Sequence, residues 1–408
     1  MKSFAYKFAY VSILVFGIFP IFPSGIRGVL IGVLGASALG VLLVEKKFKL
    51  SKLVLINSGL LLFYAVSLLW SFDESDSLKK IETALSLIIL PLIFNIFSNS
   101  SELNFKASLR RNFYWVFTLS SVLMGILIIL FFGSLGFFEG IHDYGYCMSH
   151  LEREMPVWKD HPIYISINLC ISLLFCVNLF NHYKKKNVRW LVFFCVLFLS
   201  VILFFLSRKG TIVALLISCL FYIMMLYKGD KFKVIKYSAF VCVASALLLL
   251  CIPTTQKRIL ELFDENTYTT KDETNSTNNR IQIYKCCIEL IKEKPIIGYG
   301  LGKDKVALHN CYKENLYYLY ENKFNSHNQY FGILLKGGII ALLIFLFCLY
   351  FNLNLALSHQ QYLFGAIVVF YGIAMLSENI IERQNGVILF SFLINFYGFQ
   401  KFNNQLKQ

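Results

Sequence analysis

Two arginines, a lysine and a histidine have the side-chain types and positions needed to act on a phosphorylated substrate. Arg208 and Lys209 lie between two apolar stretches with almost no loop, and Arg280 lies in the long polar segment that follows. A guanidinium fixed near hydrocarbon binds phosphate strongly, because partial desolvation strengthens a charge-assisted contact. His327 immediately precedes the next apolar stretch, and a neutral imidazole near pH 7 can take a proton from a sugar hydroxyl. These residues predict a site for a phosphate group and a reacting hydroxyl.

Each of these residues also has a simpler structural interpretation. Arg208 and Lys209 could anchor a helix end at the membrane surface, and Arg280 could be a solvated charge at a helix start. A single histidine at an interface, such as His327, commonly has no chemical role. The glycine-rich residues 295–302 lack the spacing of a phosphate-binding loop and follow no strand, so we interpret them as a tight structural turn.

Three further polar residues flank the predicted site. Asn328 and Tyr330 follow His327, with Tyr330 at the depth of an aromatic belt, and His161 opens another apolar stretch on the same side. We expect these three residues either to contact an acceptor or to support the site structurally.

The composition predicts an integral membrane protein. The chain has 408 residues, of which 57% are hydrophobic, and a mean hydropathy of +0.61, which a soluble domain could not carry without large exposed apolar patches. Charged residues cluster between apolar runs of about 17 to 22 residues, the length that a helix needs to cross hydrocarbon. The short alternating strands of a membrane barrel are absent. We therefore expect an all-α fold.

Twelve apolar runs are candidate membrane spans. They cover approximately residues 8–23, 28–44, 53–70, 81–98, 113–132, 163–181, 190–206, 210–227, 235–252, 329–351, 361–380 and 385–400. Positive residues concentrate in alternate loops, which places those loops and both termini in the cytoplasm. The residues concerned are Lys46, Lys47, Lys49, Lys52, Lys106, Arg110, Arg111, Lys184, Lys185, Lys186, Arg189, Lys228, Lys231, Lys233 and Lys236.

This topology divides the chain into three parts. Residues 1–252 are expected to hold nine spans and a smaller exported loop at 133–161. Residues 253–328 are expected to form an exported catalytic loop between spans nine and ten, and residues 329–408 the last three spans and a short cytoplasmic tail.

The catalytic loop is expected to be partly helical. A polar tract at 254–279 precedes a helix with Asn278 or Asn279 as its cap and Pro295 after its end. The apolar residues at helical spacing are Ile281, Tyr284, Ile288 and Ile291. A second, aromatic-rich helix is predicted from Tyr312, Leu316, Tyr317, Leu319 and Tyr320.

The distribution of charged residues and cysteines bears on nucleic-acid binding, metal binding and disulfide formation. The net charge of +15 is spread over many short loops and forms no single basic face, so we expect no nucleic-acid partner. No Asp-x-Asp cluster is placed to hold Mg²⁺ on the exported side, so we predict neither a metal nor another cofactor. Cys147, Cys286, Cys287 and Cys311 fall in exported loops, where two of them could form a disulfide.

These motifs, in this order, resemble the O-antigen ligase and polymerase-like superfamily of bacterial envelope enzymes. The matching elements are Ser207-Arg208-Lys209-Gly210, then Arg280, then Pro295-Ile296-Ile297-Gly298-Tyr299-Gly300, and His327-Asn328-Gln329-Tyr330 followed by Gly337-Gly338. The segment from Glu378 to Gly386 is also similar to a late segment of many members. One departure is Lys336, where many relatives have an acidic residue, and it could alter acceptor preference.

The resemblance implies a membrane glycosyltransferase whose donor is a glycan on undecaprenyl diphosphate. In a ligase the acceptor is a sugar hydroxyl of the lipid A core, and in a polymerase it is another lipid-linked repeat unit. Both reactions are expected to invert the anomeric centre without a metal. Arg208 and Arg280 would neutralise the diphosphate with Lys209 in support, and His327 would orient or deprotonate the acceptor. The site would face the periplasm of a bacterial inner membrane.

The leading hypothesis is an O-antigen ligase, because the loop and its His-Asn motif are more similar to that branch. The alternative is a polymerase of O-antigen or exopolysaccharide repeat units. A transporter of lipid-linked glycans would place charges within several spans, whereas ionisable residues here gather at one face. Glu378, Glu382 and Arg383 belong to that face, where we expect them to pair with one another.

Overall fold

The computed structural model describes residues 2–71, 74–100, 107–155, 160–227 and 276–400. In chain order the α-helices of these ranges are α1 (Lys2–Phe16), α2 (Gly28–Glu45), α3 (Lys52–Ser71), α4 (Glu74–Ala84), α5 (Ser86–Asn99), α6 (Ala107–Ser134), α7 (Tyr144–Arg153), α8 (Pro162–His182), α9 (Lys186–Leu206), α10 (Lys209–Leu226), α11 (Ser276–Glu293), α12 (Lys303–Asn315), α13 (Tyr317–Glu321), α14 (Gln329–Ser358), α15 (Tyr362–Ala374) and α16 (Gln384–Gly398). The predicted span at 235–252, most of the polar tract at 254–279 and the tail from residue 401 lie outside the described residues.

Eight helical segments of the described ranges are long and apolar enough to cross a membrane, so the chain is a multi-pass membrane protein. They are α2, α3, Ser77–Asn99, α6, α8, α9, α10 and α14. The predicted first, eleventh and twelfth spans correspond to the shorter helices α1, α15 and α16, of 15, 13 and 15 residues. The predicted all-α membrane fold is confirmed, whereas the count of twelve spans is not.

Helix α8 is the centre of the bundle. It is apolar on all sides, as expected of a helix that is surrounded by protein, and it packs against α6, α9, α10 and α15. Aromatic rings fill the neighbouring space, with the ring centroids of Phe16 and Phe392 3.6 Å apart and those of Tyr114 and Phe175 4.5 Å apart. This packing gives the ends of the helices a fixed arrangement.

A second apolar core lies in the segment between α10 and α14. It is built from α11, α12 and α13, with one contribution from α14, and its buried residues are Ile283, Cys286, Cys287, Leu290, Leu308, Tyr312, Leu319 and Leu335. A disulfide between Cys286 and Cys311 joins α11 to α12. The expectation that cysteines of the loop could pair is therefore confirmed for these two.

Helical details of this segment differ from the predictions. Helix α11 begins at Ser276, so Asn278 and Asn279 lie inside it and not at its cap. Ile288, predicted for the apolar face, is 44% exposed. The aromatic helix is divided at Leu316 into α12 and α13. The spacing of apolar residues predicted a helix correctly, but the packing of α12 decides which face is buried.

Loss of the Cys286–Cys311 bond is expected to lower thermal stability. The bond joins residues 25 apart in sequence, and closing a loop of this size stabilises a protein by about 3 kcal/mol. Cys286→Ser or Cys311→Ser should therefore lower the unfolding midpoint of the detergent-solubilised protein in a thermal scan. Cys287→Ala is the matched control, since Cys287 is a buried free thiol next to the bond. Identical midpoints for the wild type and both serine variants would contradict this stabilising role.

Candidate active site

The turn formed by residues 295–302 packs against a sharp break in α14. Gly338 has φ 59° and ψ −160° inside the helix, and a Cβ there would lie 2.2 Å from the carbonyl oxygen of Ile296, so the position requires glycine. Backbone hydrogen bonds join turn and helix on both sides of the break, from Tyr299 N–H to Leu335 O (2.8 Å), Gly300 N–H to Lys336 O (2.9 Å) and Ile339 N–H to Pro295 O (2.8 Å). Residues 295–302 therefore form a structural turn that orients the start of α14.

The residues that precede α14 hold His327 in a fixed position. Asn328 caps the helix, because its Oδ1 accepts hydrogen bonds from the N–H groups of Tyr330 and Phe331 at 2.9 and 3.3 Å. The hydroxyl of Tyr330 donates to the carbonyl of Gly372 at 2.5 Å. His327 has φ 43°, a conformation that is uncommon for non-glycine residues and is enriched at functional sites. Asn328 and Tyr330 thus support the position of His327.

The imidazole of His327 is paired with the carboxylate of Glu378, in the connection after α15. Nδ1 and Oε2 are 3.3 Å apart. Burial raises the pKa of Glu378, but the hydrogen bond and charge of His327, together with the charges of His161 and Arg280, outweigh it and hold the pKa below its usual value. Glu378 is therefore ionised at neutral pH and can only accept, so Nδ1 donates to it and Nε2 is the nitrogen left to take a proton.

Arg280 lies on α11, which packs beside this pair. The hydroxyl of Tyr284 lies 3.4 Å from the carbonyl of His327 and 3.5 Å from the carbonyl of Leu376, so its single proton is shared between these two acceptors. Arg280 precedes Tyr284 by four residues and therefore shares its face of the helix. Its positive charge also contributes to the lowered pKa of Glu378. The structure thus brings Arg280 towards the His327–Glu378 pair.

Arg208 reaches the same end of the bundle in the turn between α9 and α10. It is the residue before α10, and Lys209 is the first residue of that helix. A Cβ at Gly210 would lie 2.1 Å from Ser377 Oγ, so glycine allows this turn to touch the connection that carries Glu378. The charge of Arg208 also acts on His161.

His161 caps the first turn of α8. Its Nδ1 accepts from the N–H of Ile163 at 3.3 Å, and its Nε2 lies 3.7 Å from Glu152. Burial lowers the pKa of His161; Glu152 opposes this effect, while Arg208 and Arg383 add to it. The ring is therefore neutral at pH 7, and the capping bond gives it a structural role.

A buried ion pair holds in place the residues that immediately precede α8. The side chains of Arg27 and Asp160 are fully buried, with 2.6 Å between Nη2 and Oδ2. Asn385 also donates to Asp160, and the guanidinium lies 4.5 Å from the ring centroid of Phe19. This pair, which the sequence analysis did not identify, joins three distant parts of the chain directly before His161. The sequence did contain one signal for this pair, because Arg27 and Asp160 are opposite charges at the ends of apolar spans on the same predicted side of the membrane.

Lys336 belongs to a buried network of opposite charges near the start of α14. Its ammonium group pairs with Glu382 and lies 3.4 Å from Asp304, which is also 2.5 Å from Lys80. Burial raises the pKa of Asp304, but Lys336 and Lys80 outweigh it and lower the pKa to about 2. The unusual lysine is therefore compensated by two carboxylates. The sequence analysis missed Lys80 and Asp304, because only the docking of α12 on the bundle brings them together.

The expected mutual pairing of Glu378, Glu382 and Arg383 is wrong. The observed partners are His327 for Glu378, Lys336 for Glu382 and Glu152 for Arg383. A short 3-10 helix, Ile380–Glu382, turns successive side chains to different sides. This connection therefore joins several elements around the candidate site.

Replacing Lys336 by methionine is expected to destabilise the fold strongly. The change keeps the apolar stem but leaves Glu382 and Asp304 without their shared cation, and removing one partner of a buried pair costs about 3–5 kcal/mol. Thermal scans of the purified protein should show a large fall in the unfolding midpoint. Lys292→Met, at an exposed position of α11, is the matched control and should change little. A Lys336 variant as stable as this control would show that the network does not stabilise the fold.

Comparison with known proteins leads to the same family as the motifs. Residues 193–346 match a family model described as O-Antigen ligase. A ComP-specific O-oligosaccharyltransferase from Acinetobacter baylyi is 26% identical over 201 residues, which cover 46% of this chain and 34% of that protein. The chain thus spans about a third of the length of the curated relative that it matches. These matches confirm the resemblance to an O-antigen ligase-like superfamily.

The family match includes some of the candidate residues and excludes others. Arg208, Arg280 and His327 lie within the matched residues 193–346, whereas His161 and Glu378 lie outside them. The arrangement offers two guanidinium groups for a diphosphate and a histidine–carboxylate pair for a hydroxyl proton.

Proposed function

We propose that this chain is a membrane glycosyltransferase that moves a glycan from undecaprenyl diphosphate to a sugar hydroxyl of the lipid A core. The proposal rests on the elements that carry Arg208, Arg280 and the His327–Glu378 pair, which contact one another at one end of an apolar helix bundle. A lipid-linked donor needs apolar grooves for its polyprenyl chain and cations at the helix ends for its diphosphate.

The reaction is a single displacement at the anomeric carbon. Nε2 of His327 takes the proton of the acceptor hydroxyl while the acceptor oxygen bonds to that carbon and the bond to the diphosphate oxygen breaks. Attack from the opposite face inverts the configuration. Arg208 and Arg280, with Lys209 in support, hold the charge that develops on the departing diphosphate. Glu378 orients the ring and stabilises the imidazolium that forms.

The site faces the periplasm in this proposal, and both termini lie on the cytoplasmic side of the inner membrane. The Cys286–Cys311 disulfide supports this orientation, because disulfides persist in oxidising compartments and are rare in the cytosol. The distribution of positive loops favours the same orientation.

The name of the curated relative favours a second candidate. That protein is an O-oligosaccharyltransferase specific for ComP, so transfer to a different, dedicated acceptor is an alternative for this chain. Polymerisation of repeat units would use the same donor and the same five side chains, and it differs only in its acceptor.

Cells that lack the gene distinguish these acceptors. Lipopolysaccharide gels and blots for lipid-linked glycan would be compared between deletion and complemented strains. Bare lipid A core with polymer accumulating on undecaprenyl diphosphate supports the ligase, and core with a single repeat unit identifies a polymerase. Normal lipopolysaccharide with loss of glycan from another acceptor identifies the second candidate. If every glycan were unchanged, the proposed function would be rejected.

A further inference from the structure

A cavity of about 210 Å³ adjoins the candidate active site but contains none of its proposed catalytic residues. Its wall includes Lys79, Lys80, Lys305, Lys336, Gln329 and Glu382. Gln329 is two positions after His327 and Glu382 is four positions after Glu378, so the cavity shares its framework with the site. It is smaller than the roughly 300–1,000 Å³ typical of sites for drug-sized ligands. The cavity therefore suits one small group and not a whole oligosaccharide.

The cavity wall is rich in positive charge. Lys80 and Lys336 are held in place by Asp304 and Glu382. Lys79 and Lys305 are exposed, and among the described side chains they form no ion pair. Four ammonium groups thus surround the cavity while two carboxylates offset part of their charge. A small anion bound in the cavity would neutralise the remaining positive charge.

Gln329 is a polar residue of the cavity wall whose amide is incompletely paired among the described residues. Its side chain is completely buried, and its Oε1 accepts a hydrogen bond from the N–H of Ile381 at 2.9 Å. This contact fixes the orientation of the amide and does not involve Nε2. Nε2 has no hydrogen-bond partner within the part of the chain that the structure describes. A buried donor without a partner is costly, so the described residues leave this part of the cavity wall incompletely satisfied.

We propose that this cavity binds the anionic group of an acidic sugar in the glycan substrate. The carboxylate would lie among the four lysines, while the His327 site acts on the neighbouring part of the glycan. This inference rests on the proposed glycosyltransferase function for its choice of ligand. The shared chemistry is a small oxyanion, and a free phosphate is the other source to be tested.

Binding to the purified full-length protein in nanodiscs tests the proposal. Glucuronate, glucose and inorganic phosphate are titrated separately while binding is followed by NMR of the added compound. Glucuronate is expected to bind and glucose is not. The double variant Lys79→Gln/Lys305→Gln should weaken glucuronate binding by about tenfold or more, whereas Lys292→Gln, outside the cavity, should leave it unchanged.

The other outcomes overturn the proposal. Equal binding of glucose and glucuronate would exclude recognition of the anion, and binding of phosphate without glucuronate would exclude the sugar. Equal glucuronate affinity in the wild type and the folded double variant would exclude this cavity. The assay requires no catalysis, so loss of binding with retained glycan transfer rejects only the cavity, and retained binding without any transfer rejects only the proposed function.

Discussion

Glycan transfer by the purified protein is expected to fall by a factor of about 10²–10⁴ when His327 is replaced by alanine. The expected loss is large because the variant removes the proposed base together with its contact to Glu378, whose Oε2 lies 3.3 Å from Nδ1. The measurement is the initial rate of transfer from a lipid-linked glycan to its acceptor in nanodiscs. His142→Ala, at a histidine outside the site on the segment before α7, is the matched control and should retain the wild-type rate.

Glu378→Gln separates the role of the carboxylate from that of the ring. The amide keeps the shape of the side chain but cannot stabilise an imidazolium, so we expect a smaller loss than in His327→Ala. The folded-state pKa of Glu378 is below its usual value, so its contribution is complete above about pH 4.3 and is lost only as the pH falls through the folded-state value. A change in the wild-type rate between about pH 5 and 8 therefore reports a histidine. A wild-type rate in His327→Ala would refute the assignment of the base.

Arg280→Ala is expected to reduce transfer by about 10²-fold, mainly by removing charge stabilisation from the departing diphosphate. Arg280→Lys should restore only a small part of the rate, because an ammonium group cannot make the paired contacts of a guanidinium with phosphate oxygens. Lys285→Ala is the control, since Lys285 is an exposed cation on the same helix. Initial rates at several donor concentrations separate weaker donor binding from slower chemistry.

Combination with Arg208 tests whether both arginines act on one group. If both hold the diphosphate, the loss in the Arg208→Ala/Arg280→Ala double variant should differ from the product of the single losses, because neighbouring charges on one ligand are coupled. Strictly multiplicative losses would indicate independent roles. Wild-type kinetics in Arg280→Ala would remove Arg280 from the site altogether.

The sequence was informative wherever the signal is local. Long apolar runs predicted most helices within a few residues, since crossing hydrocarbon demands a helix of that length and composition. The predicted first span at 8–23 lay too far along the chain, because Gly17, Pro20 and Pro23 end α1 at Phe16. The sequence alone identified Arg208, Arg280 and His327 as candidate site residues, because each is a polar residue at the edge of an apolar stretch.

Pairings between distant segments could not be predicted in this way. Glu378 was expected to pair with its sequence neighbours, whereas its partner is His327, 51 positions away. Lys336 was noted as unusual, but Asp304 and Lys80 become its neighbours only when α12 packs on the bundle. Which charges meet depends on three-dimensional packing, and short-range spacing contains no information about it.

The broken helix α14 has a consequence for the order in which the protein is assembled. Backbone groups freed at Gly338 would cost several kcal/mol each if they entered hydrocarbon without partners. Their hydrogen-bond partners, residues 295–300, precede α14 in the chain and are therefore synthesised first. The Cys286–Cys311 disulfide encloses these residues, and both of its cysteines also precede α14. Folding and oxidation of that segment are therefore expected to precede the final insertion of α14, so a cell that cannot form the disulfide should accumulate chains arrested at this step.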